Sequence, residues 1–251
     1  MTRYWTGVRL LFTRLAAVDR PAMVHLEPDF WGFAQQESRD GDPANVPVLV
    51  RGVAECADLP DDVSGMGRCI VRLARAIAPR VALGMHASGF GAPGRPKDVA
   101  AFLTRCGARE ADFIVVETLD RDAGCFEAGG DPYCTRSDGP LYWDETNRTS
   151  PNFAEHFAWV RTIHERLGLP VLWWQMPLGV PSDVPGGTPK RYRDNRVKYF
   201  SEHALDFEAA GGFGVLFGVG APNQTDLTTD GGQFARAVTE YYRNPVPIVR
   251  P

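Results

Sequence analysis

The chain has 251 residues, of which 44% are hydrophobic and 23% charged, and this is an ordinary composition for a globular protein of one large or two small domains. The net charge is -4 and there is no basic run, so a nucleic-acid partner is not expected. No apolar stretch approaches the roughly 20 residues of a membrane span, so a membrane is not expected as a partner either.

The first predicted element is an amphipathic helix. Val8, Leu11, Phe12 and Leu15 recur at the spacing of one helical face. Arginines at positions 3, 9 and 14 interrupt the apolar core that a secretory signal needs, and no small-residue cleavage site follows them. We therefore predict a helix at the start of the chain, and no signal peptide within it.

Five short apolar runs predict buried parallel strands. Because these runs do not alternate between polar and apolar residues, both faces of the sheet should be covered. The runs are AMVHL at 22–26, VALGMH at 81–86, FIVVE at 113–117, VLWWQ at 171–175 and GVLFG at 214–218.

Helical patterns separate the predicted strands. One helix is predicted to start at the sequence SPNF, with Ser150 as its N-cap, Pro151 in its first turn and Gly168 at its exit. Its inner face is predicted to carry Phe153, Phe157, Val160, Ile163 and Leu167. Further helices are predicted around 70–77, 99–106, 194–210 and 231–242.

A helix followed by five strand–helix units predicts an α/β fold with a parallel sheet and right-handed crossovers. A doubly wound open sheet and a (β/α)8 barrel both fit this order. Long segments follow the carboxyl ends of the strands, at about 30–66, 118–149 and 176–193, as in barrel enzymes. We therefore predict a TIM-barrel-like fold, in the form of a partial barrel with about five βα units. It is predicted as a single domain over 1–251 that lacks βα units at its N-terminus.

Carboxylates follow two of the predicted strands. Glu27 ends the first strand and Asp29 follows it, while Glu117 ends the third strand and Asp120 and Asp122 follow. Paired carboxylates suit glycoside hydrolysis, because one can protonate the leaving oxygen while the other attacks the anomeric carbon or activates water. Helix capping and pairing with arginine are the alternative roles. We predict Glu27, Glu117 and Asp120 as catalytic residues, and Asp29 and Asp122 as substrate-binding residues.

Aromatic and polar residues near the same strand ends are predicted to complete a carbohydrate site. Flat rings can stack on the apolar faces of pyranose rings, although core packing is at least as common a role for any one tryptophan. Trp31 and Trp143, in polar loops, are the preferred ring candidates. Two further tryptophans are adjacent on one strand, so only one of them can face inward. The remaining predicted substrate-binding residues are Phe30, His86, Trp173, Trp174, Gln175, Arg193 and Asn195.

The histidines suggest metal-dependent hydrolysis as an alternative chemistry. His25 and Glu27 lie two apart on one strand and should face the same way, while His86 and Glu117 end the next two strands. Together they could bind a divalent metal in a barrel hydrolase. The alternative is that His25 is a buried, hydrogen-bonded strand residue, and we predict no metal and no cofactor. The segment GFGAPG lacks the spacing of a phosphate-binding loop and is predicted to be a turn.

The cysteines give an indication of the cellular compartment in which the protein is found. Cys125 and Cys134 flank a polar, glycine-rich loop, where a disulfide would stabilise a segment with little core of its own. Two reduced thiols are the alternative. Because disulfides persist in oxidising compartments, the full-length form is expected to be extracellular or periplasmic. Cys106 lies on an apolar helical face and is predicted to belong to the core.

Four short segments resemble secreted glycoside hydrolases with TIM-barrel folds: LEPDFWGF, DRDAGCFE, WWQMPLG and GVLFGVG. The EPD tripeptide of the first segment also occurs near the active site of family 6 cellulases, whose acid aspartate lies on an earlier strand with no equivalent here. The large clan of barrel glycosidases typically carries Asn–Glu on strand four and Glu on strand seven. If the first predicted strand corresponds to strand four, Glu27 matches the first glutamate, Leu26 replaces the asparagine, and Gln175 occupies the second position.

The resemblance implies a glycoside-hydrolase-like protein that acts on a polysaccharide. Glu27 would be the general acid or acid/base, with Glu117 or Asp120 as its partner and a carbohydrate as its substrate. Because glutamine cannot act as a nucleophile, Gln175 keeps a second hypothesis open, an inactive barrel that binds glycans. A metal-dependent barrel hydrolase is the third hypothesis.

Overall fold

The structure is a computed structural model that describes residues 2–18, 20–118, 122–128, 134, 137–181, 192–219 and 224–247. Its helices and strands are, in chain order, α1 (Thr2–Ala16), β1 (Ala22–Leu26), α2 (Phe30–Glu37), α3 (Val63–Ile77), β2 (Val81–His86), α4 (Pro96–Arg105), β3 (Phe113–Val116), α5 (Cys125–Ala128), α6 (Phe153–Leu167), β4 (Val171–Met176), α7 (Arg196–Glu202), α8 (Ala204–Ala209), β5 (Gly212–Phe217) and α9 (Gln233–Arg243).

The five strands form one parallel sheet in the order β1-β2-β3-β4-β5. In its register, Ala22 of β1 lies opposite Val81 of β2, and Gly84 of β2 lies opposite Phe113 of β3. Parallel strands that follow one another in sequence order form a half-barrel of the TIM type. The predicted α/β class and partial barrel are confirmed at this level, while a complete (β/α)8 barrel is not formed by the described residues.

The chain divides into two compact units. The first comprises Met1–Val116 and Thr162–Val171, and the second comprises Glu117–Arg161 and Leu172–Pro251. The first unit therefore contains β1, β2 and β3, and the second contains β5 and most of β4. The single barrel-like domain over 1–251 stays a prediction.

The interior of the first unit explains why its strands are continuous apolar runs. All four residues of β3 are buried, as are five of the six residues of β2, so both faces of these strands are covered. Val8 and Phe12 of α1 are buried, and α1 packs against α3. The amphipathic helix predicted at the start of the chain is thus confirmed.

The segment 30–66, predicted as a long loop, contains regular structure instead. It includes α2, two 3₁₀ turns and the first residues of α3. Asp62 caps α3, because its side chain accepts a hydrogen bond from the backbone N–H of Gly65 at 2.9 Å. A side chain at Gly65 would meet the carbonyl oxygen of Pro60 at 2.0 Å, so only glycine fits this first turn. The loop prediction was wrong because it overlooked this cap.

The cap of α6 also differs from the prediction. The side chain of Asn152, rather than that of Ser150, accepts a hydrogen bond from the backbone N–H of Glu155, at 2.9 Å. The Ser150–Pro151 peptide bond is cis, and Pro151 precedes the helix. Gly168 ends the helix with a φ of 70°, as predicted. All five residues predicted for the inner face are buried. The helix predicted over 194–210 is two helices, α7 and α8.

Two disulfides tie segments together. Cys125–Cys134 is the bond considered from the sequence, and Cys56–Cys69, which joins a 3₁₀ turn to α3, was missed. Cys106 is a buried free thiol in the core, as predicted. Two disulfides indicate an oxidising, extracellular type of environment. In the described part of the chain, no helix has the length and apolarity needed to cross a bilayer.

Candidate functional site

Glu27 follows β1 in a backbone conformation that residues with side chains rarely adopt. Its φ is 55°, and Gln175 in β4 has a similar φ of 52°. Non-glycine residues in this left-handed region cost free energy and concentrate at functional sites. The side chain of Glu27 is half-buried. Arg39 and Asn147 share this conformation, with φ of 57° and 58°, so the backbone is consistent with the roles predicted for Glu27 and Gln175 but does not single them out.

The phenol of Tyr4, in the first turns of α1, lies beside Glu27. The Tyr4 hydroxyl is buried, and burial first and the charge of Glu27 second raise the pKa of Tyr4. A phenol that keeps its proton can donate a hydrogen bond to a neighbouring carboxylate. Sequence reasoning missed Tyr4, because nothing in the local pattern of α1 relates it to the end of β1.

His25 and His86 contact each other directly. His86 Nδ1 lies 3.0 Å from His25 Nε2, and the two rings are stacked with centroids 5.0 Å apart. Burial and the neighbouring His86 lower the pKa of His25 to about 3, so His25 is neutral near pH 7. His86, predicted to bind substrate, is fully buried. Among the described residues, no group of three or more His, Cys, Asp or Glu side chains is placed to hold a metal ion.

Three of the predicted sugar-stacking rings are enclosed. Trp31 is 2% exposed and donates a hydrogen bond to the carbonyl oxygen of Leu26, while Trp143 is 5% exposed. Trp173 is 0% exposed and donates to Nε2 of His156 at 2.9 Å. A sugar could reach these rings only if the surrounding segments moved, so the stacking role of the three tryptophans stays a prediction. The half-buried Phe30 and Trp174 keep that role as a prediction.

A buried charge cluster lies in the second unit, beyond the carboxyl end of β3. Asp194 and Arg196 form a salt bridge in which both side chains are 0% exposed, with 2.6 Å between Asp194 Oδ2 and the Arg196 guanidinium. Asp194 also accepts a hydrogen bond from the backbone N–H of Ala123 at 2.6 Å. Arg196 donates to Thr118 Oγ1 at 2.8 Å. The cluster thus joins the segment after β3 to the segment that begins α7.

Asp122 is a second buried carboxyl group in this cluster. Its side chain is 1% exposed, and its Oδ2 accepts a hydrogen bond from the backbone N–H of Thr225 at 3.1 Å. Its Oδ1 has no hydrogen-bond partner in the described part of the chain. Burial first and the charge of Asp194 second raise the pKa of Asp122 to about 7. Asp122 therefore retains its proton into the neutral range.

The other predicted residues of the second unit fall into different environments. Arg193 pairs with Glu127, with 3.4 Å between Nε and Oε2. Asn195 is 3% exposed and donates to the backbone carbonyl of Trp143 at 2.8 Å, which suits a structural role. Glu117 is half-buried directly after β3. Asp120 lies outside the described residues.

The cluster members Asp194 and Arg196 were missed from the sequence. From the sequence, only their neighbours Arg193 and Asn195 were predicted to bind substrate. The sequence offers only a weak signal for the pair, an aspartate two residues before an arginine within a run of mostly basic residues. Its meaning depends on Thr118 and Ala123, which are distant in sequence.

The free energy of unfolding should fall as the pH rises from about 4 towards about 7, because of Asp122. Its folded-state pKa of about 7 exceeds its ordinary value of 3.8, so the folded protein binds this proton more tightly. That contribution is fully present below the ordinary pKa and is lost as the pH rises through about 7. Urea unfolding across this range should show a steeper decline for the wild type than for Asp122→Asn.

The exposed Asp29 provides the control for this titration. Asp29→Asn should follow the wild-type curve, because an exposed carboxyl gains little from folding. Parallel curves for the wild type and Asp122→Asn would contradict the raised pKa of Asp122.

Comparison with known proteins shows little. No family model and no curated protein matches the chain. Among solved structures, the carboxyl transferase domain of Rhizobium etli pyruvate carboxylase matches with 11% identity and a TM-score of 0.21, over 94% of this chain and 48% of that one. A single-residue variant of that domain with pyruvate matches with 13% identity and a TM-score of 0.20, over 94% and 49%. The chain spans about half the length of these proteins, and a likeness this weak establishes neither fold nor function.

Proposed function

We propose that the protein is glycoside-hydrolase-like and cleaves a polysaccharide by acid/base catalysis with carboxyl groups. The observation that carries this proposal is Asp122, a buried carboxyl whose proton is held to about pH 7 beside a second carboxylate. Glycosidases need a carboxylic acid that stays protonated at the working pH, and burial and a like charge are the means of achieving it. A buried carboxyl oxygen that accepts no hydrogen bond from the described residues also calls for an explanation, and a ligand atom is one.

In this proposal Asp122 protonates the glycosidic oxygen as its bond to the anomeric carbon breaks. Glu117, in the same unit, supplies the second carboxylate, which attacks the anomeric carbon or removes a proton from the attacking water. Because Asp122 is 1% exposed, the surrounding segments must move apart when a glycan binds. Asp120, which lies outside the described residues, keeps its predicted catalytic role, and separate substitutions of Asp120 and Glu117 decide which of them is the partner of Asp122.

From the sequence, Glu27 was predicted as the general acid and Asp122 as a substrate-binding residue; in this proposal Asp122 is the acid, and Glu27 stays a predicted catalytic residue on separate grounds. Its positive φ at the end of β1 is a strain that the fold maintains, and the buried phenol of Tyr4 lies beside it. The resemblance to barrel glycosidases points to the same residue. The side chain of Asp29 makes no capping hydrogen bond to α2, so its carboxylate remains available for the predicted substrate binding.

The release of reducing sugar from α- and β-glucans, chitin and mannan tests these assignments. We expect Glu27→Gln and Glu117→Gln each to lower the rate by roughly 10²–10⁴-fold, the usual cost of losing a general acid or base. Glu165→Gln, at an exposed position of α6, is the matched control and should retain full activity. Wild-type rates in both catalytic-site variants would contradict the assignment.

A second candidate function is glycan binding without hydrolysis. Gln175 favours it, because a strained position in β4 carries an amide, which can hydrogen-bond to hydroxyls but cannot act as an acid or nucleophile. Measurable affinity for a polysaccharide with no release of reducing ends would support this candidate.

A further inference from the structure

Two phenylalanine rings form an exposed aromatic pair in the first unit. Phe33 of α2 is 58% exposed, and Phe90 lies in the 3₁₀ turn Gly89–Gly91 that follows β2. Their ring centroids are 5.1 Å apart with an interplanar angle of 56°, so the two rings are tilted against each other. Packing in the core does not explain why position 33 carries a phenylalanine, because more than half of the surface of Phe33 remains in water.

Contacts with α2 fix the position of Phe90. A side chain at Gly32 would meet the Phe90 ring at 2.4 Å and Ser88 Cβ at 2.7 Å, so only glycine lets this ring lie against α2. Gln36 of α2 donates a hydrogen bond from Nε2 to the carbonyl oxygen of Phe90 at 2.9 Å. Phe90 is therefore held in place before any ligand arrives, which reduces the entropic cost of binding.

Polar groups flank the two rings along the same helix face. Asp29, Phe33 and Gln36 are spaced at i, i+4 and i+7, and the backbone N–H of Phe33 donates to the carbonyl oxygen of Asp29. This face extends about 10 Å, at 1.5 Å per residue. The Asp29 side chain is exposed and makes no capping hydrogen bond, so its carboxylate can accept from a ligand.

The alternation of a carboxylate, aromatic rings and an amide matches the surface of a sugar. A pyranose ring presents C–H groups on its faces and hydroxyl groups around its rim. The C–H groups can rest on an aromatic face, and the hydroxyls can donate to Asp29.

We infer that this face of α2, with Phe90, is a carbohydrate subsite in which Phe33 stacks on a pyranose ring of a polysaccharide. The inference rests on the proposed function for its substrate class, and it adds Phe33, Phe90 and Gln36 to the residues predicted from the sequence.

Affinity electrophoresis in gels that contain soluble β-glucan, xyloglucan, glucomannan or glycogen tests the subsite. Phe33→Leu keeps an apolar side chain but removes the flat ring, and it should weaken binding by about threefold to tenfold, the range expected for one aromatic contact. Phe33→Tyr keeps the ring and should bind like the wild type. Leu49→Ala, at a 52% exposed apolar residue of the same unit, is the control and should have no effect.

Several outcomes would overturn the subsite. One is that no polymer retards the wild-type protein, and another is that Phe33→Leu binds as tightly as the wild type. A third is that sedimentation velocity shows self-association of the wild type that Phe33→Leu abolishes. Ring-dependent binding without hydrolysis would support the subsite and contradict the proposed hydrolase. Hydrolysis with ring-independent binding would contradict the subsite alone. Unchanged thermal unfolding of the variants would show that folding is not the cause, since Phe33 contributes little to the core.

Discussion

Replacement of Asp122 by asparagine should lower kcat/KM for polysaccharide cleavage by roughly 10²–10⁴-fold, because asparagine has the shape of aspartate but no acidic proton to transfer. The loss should be much smaller for an aryl glycoside whose leaving group departs without protonation. That difference separates proton donation from a structural role, which would affect both kinds of substrate alike. Enzyme kinetics on the two substrates provide the measurement.

The control for this substitution is Asp98→Asn, at an exposed position of α4, which should keep wild-type kinetics on both substrates. An equal loss on the polysaccharide and the aryl glycoside would show that Asp122 supports the structure of the site rather than the proton transfer. Full activity of Asp122→Asn would remove Asp122 from the mechanism.

Replacement of Arg196 by methionine should lower the free energy of unfolding by about 3–5 kcal/mol, the usual cost of removing one partner of a buried ion pair. Methionine preserves much of the volume, but Asp194 is left as a buried carboxylate without its cation. Its hydrogen bonds from the backbone N–H groups of Ala123 and residue 196 would remain, although two such bonds do not offset the lost charge. Urea unfolding at a fixed pH measures the effect.

The double variant Arg196→Met/Asp194→Asn should recover part of this loss, because it removes the unpaired charge as well as the cation. Arg75→Met is the matched control. Arg75 pairs with Asp112 at 2.9 Å, but both side chains are more than a third exposed, so the expected cost is about 0–1 kcal/mol. If Arg196→Met and Arg75→Met lowered the free energy of unfolding by similar amounts, the claim that burial makes the Asp194–Arg196 pair important would be contradicted.

The strands were the part of the fold that local sequence predicts best. The runs at 22–26 and 81–86 match β1 and β2 residue for residue, because a strand covered on both faces must be apolar throughout. Gly168 also identified the end of α6, because glycine can adopt the positive φ that ends many helices. Such signals are local, so they can be read without knowing what packs against them.

The misses depend on contacts between distant residues. Cys56 and Cys69 are 13 residues apart, and the folding of α3 against the 3₁₀ turn places their Cα atoms 5.6 Å apart. Trp31 was expected in a polar loop, but the formation of α2 buries it. Burial first and the charge of Asp194 second hold the proton of Asp122, and no local pattern relates these two residues, which are distant in sequence.

The central claim is that a buried, protonated Asp122 drives the cleavage of a glycosidic bond. The most direct test is the pH dependence of kcat/KM on whichever polysaccharide the wild-type protein cleaves fastest. We expect the activity to fall as the pH rises through about 7, where Asp122 loses its proton, and we expect this alkaline limb to be absent from the residual activity of Asp122→Asn. The same alkaline limb in both proteins, or no cleavage of any polysaccharide by the wild type, would contradict the account.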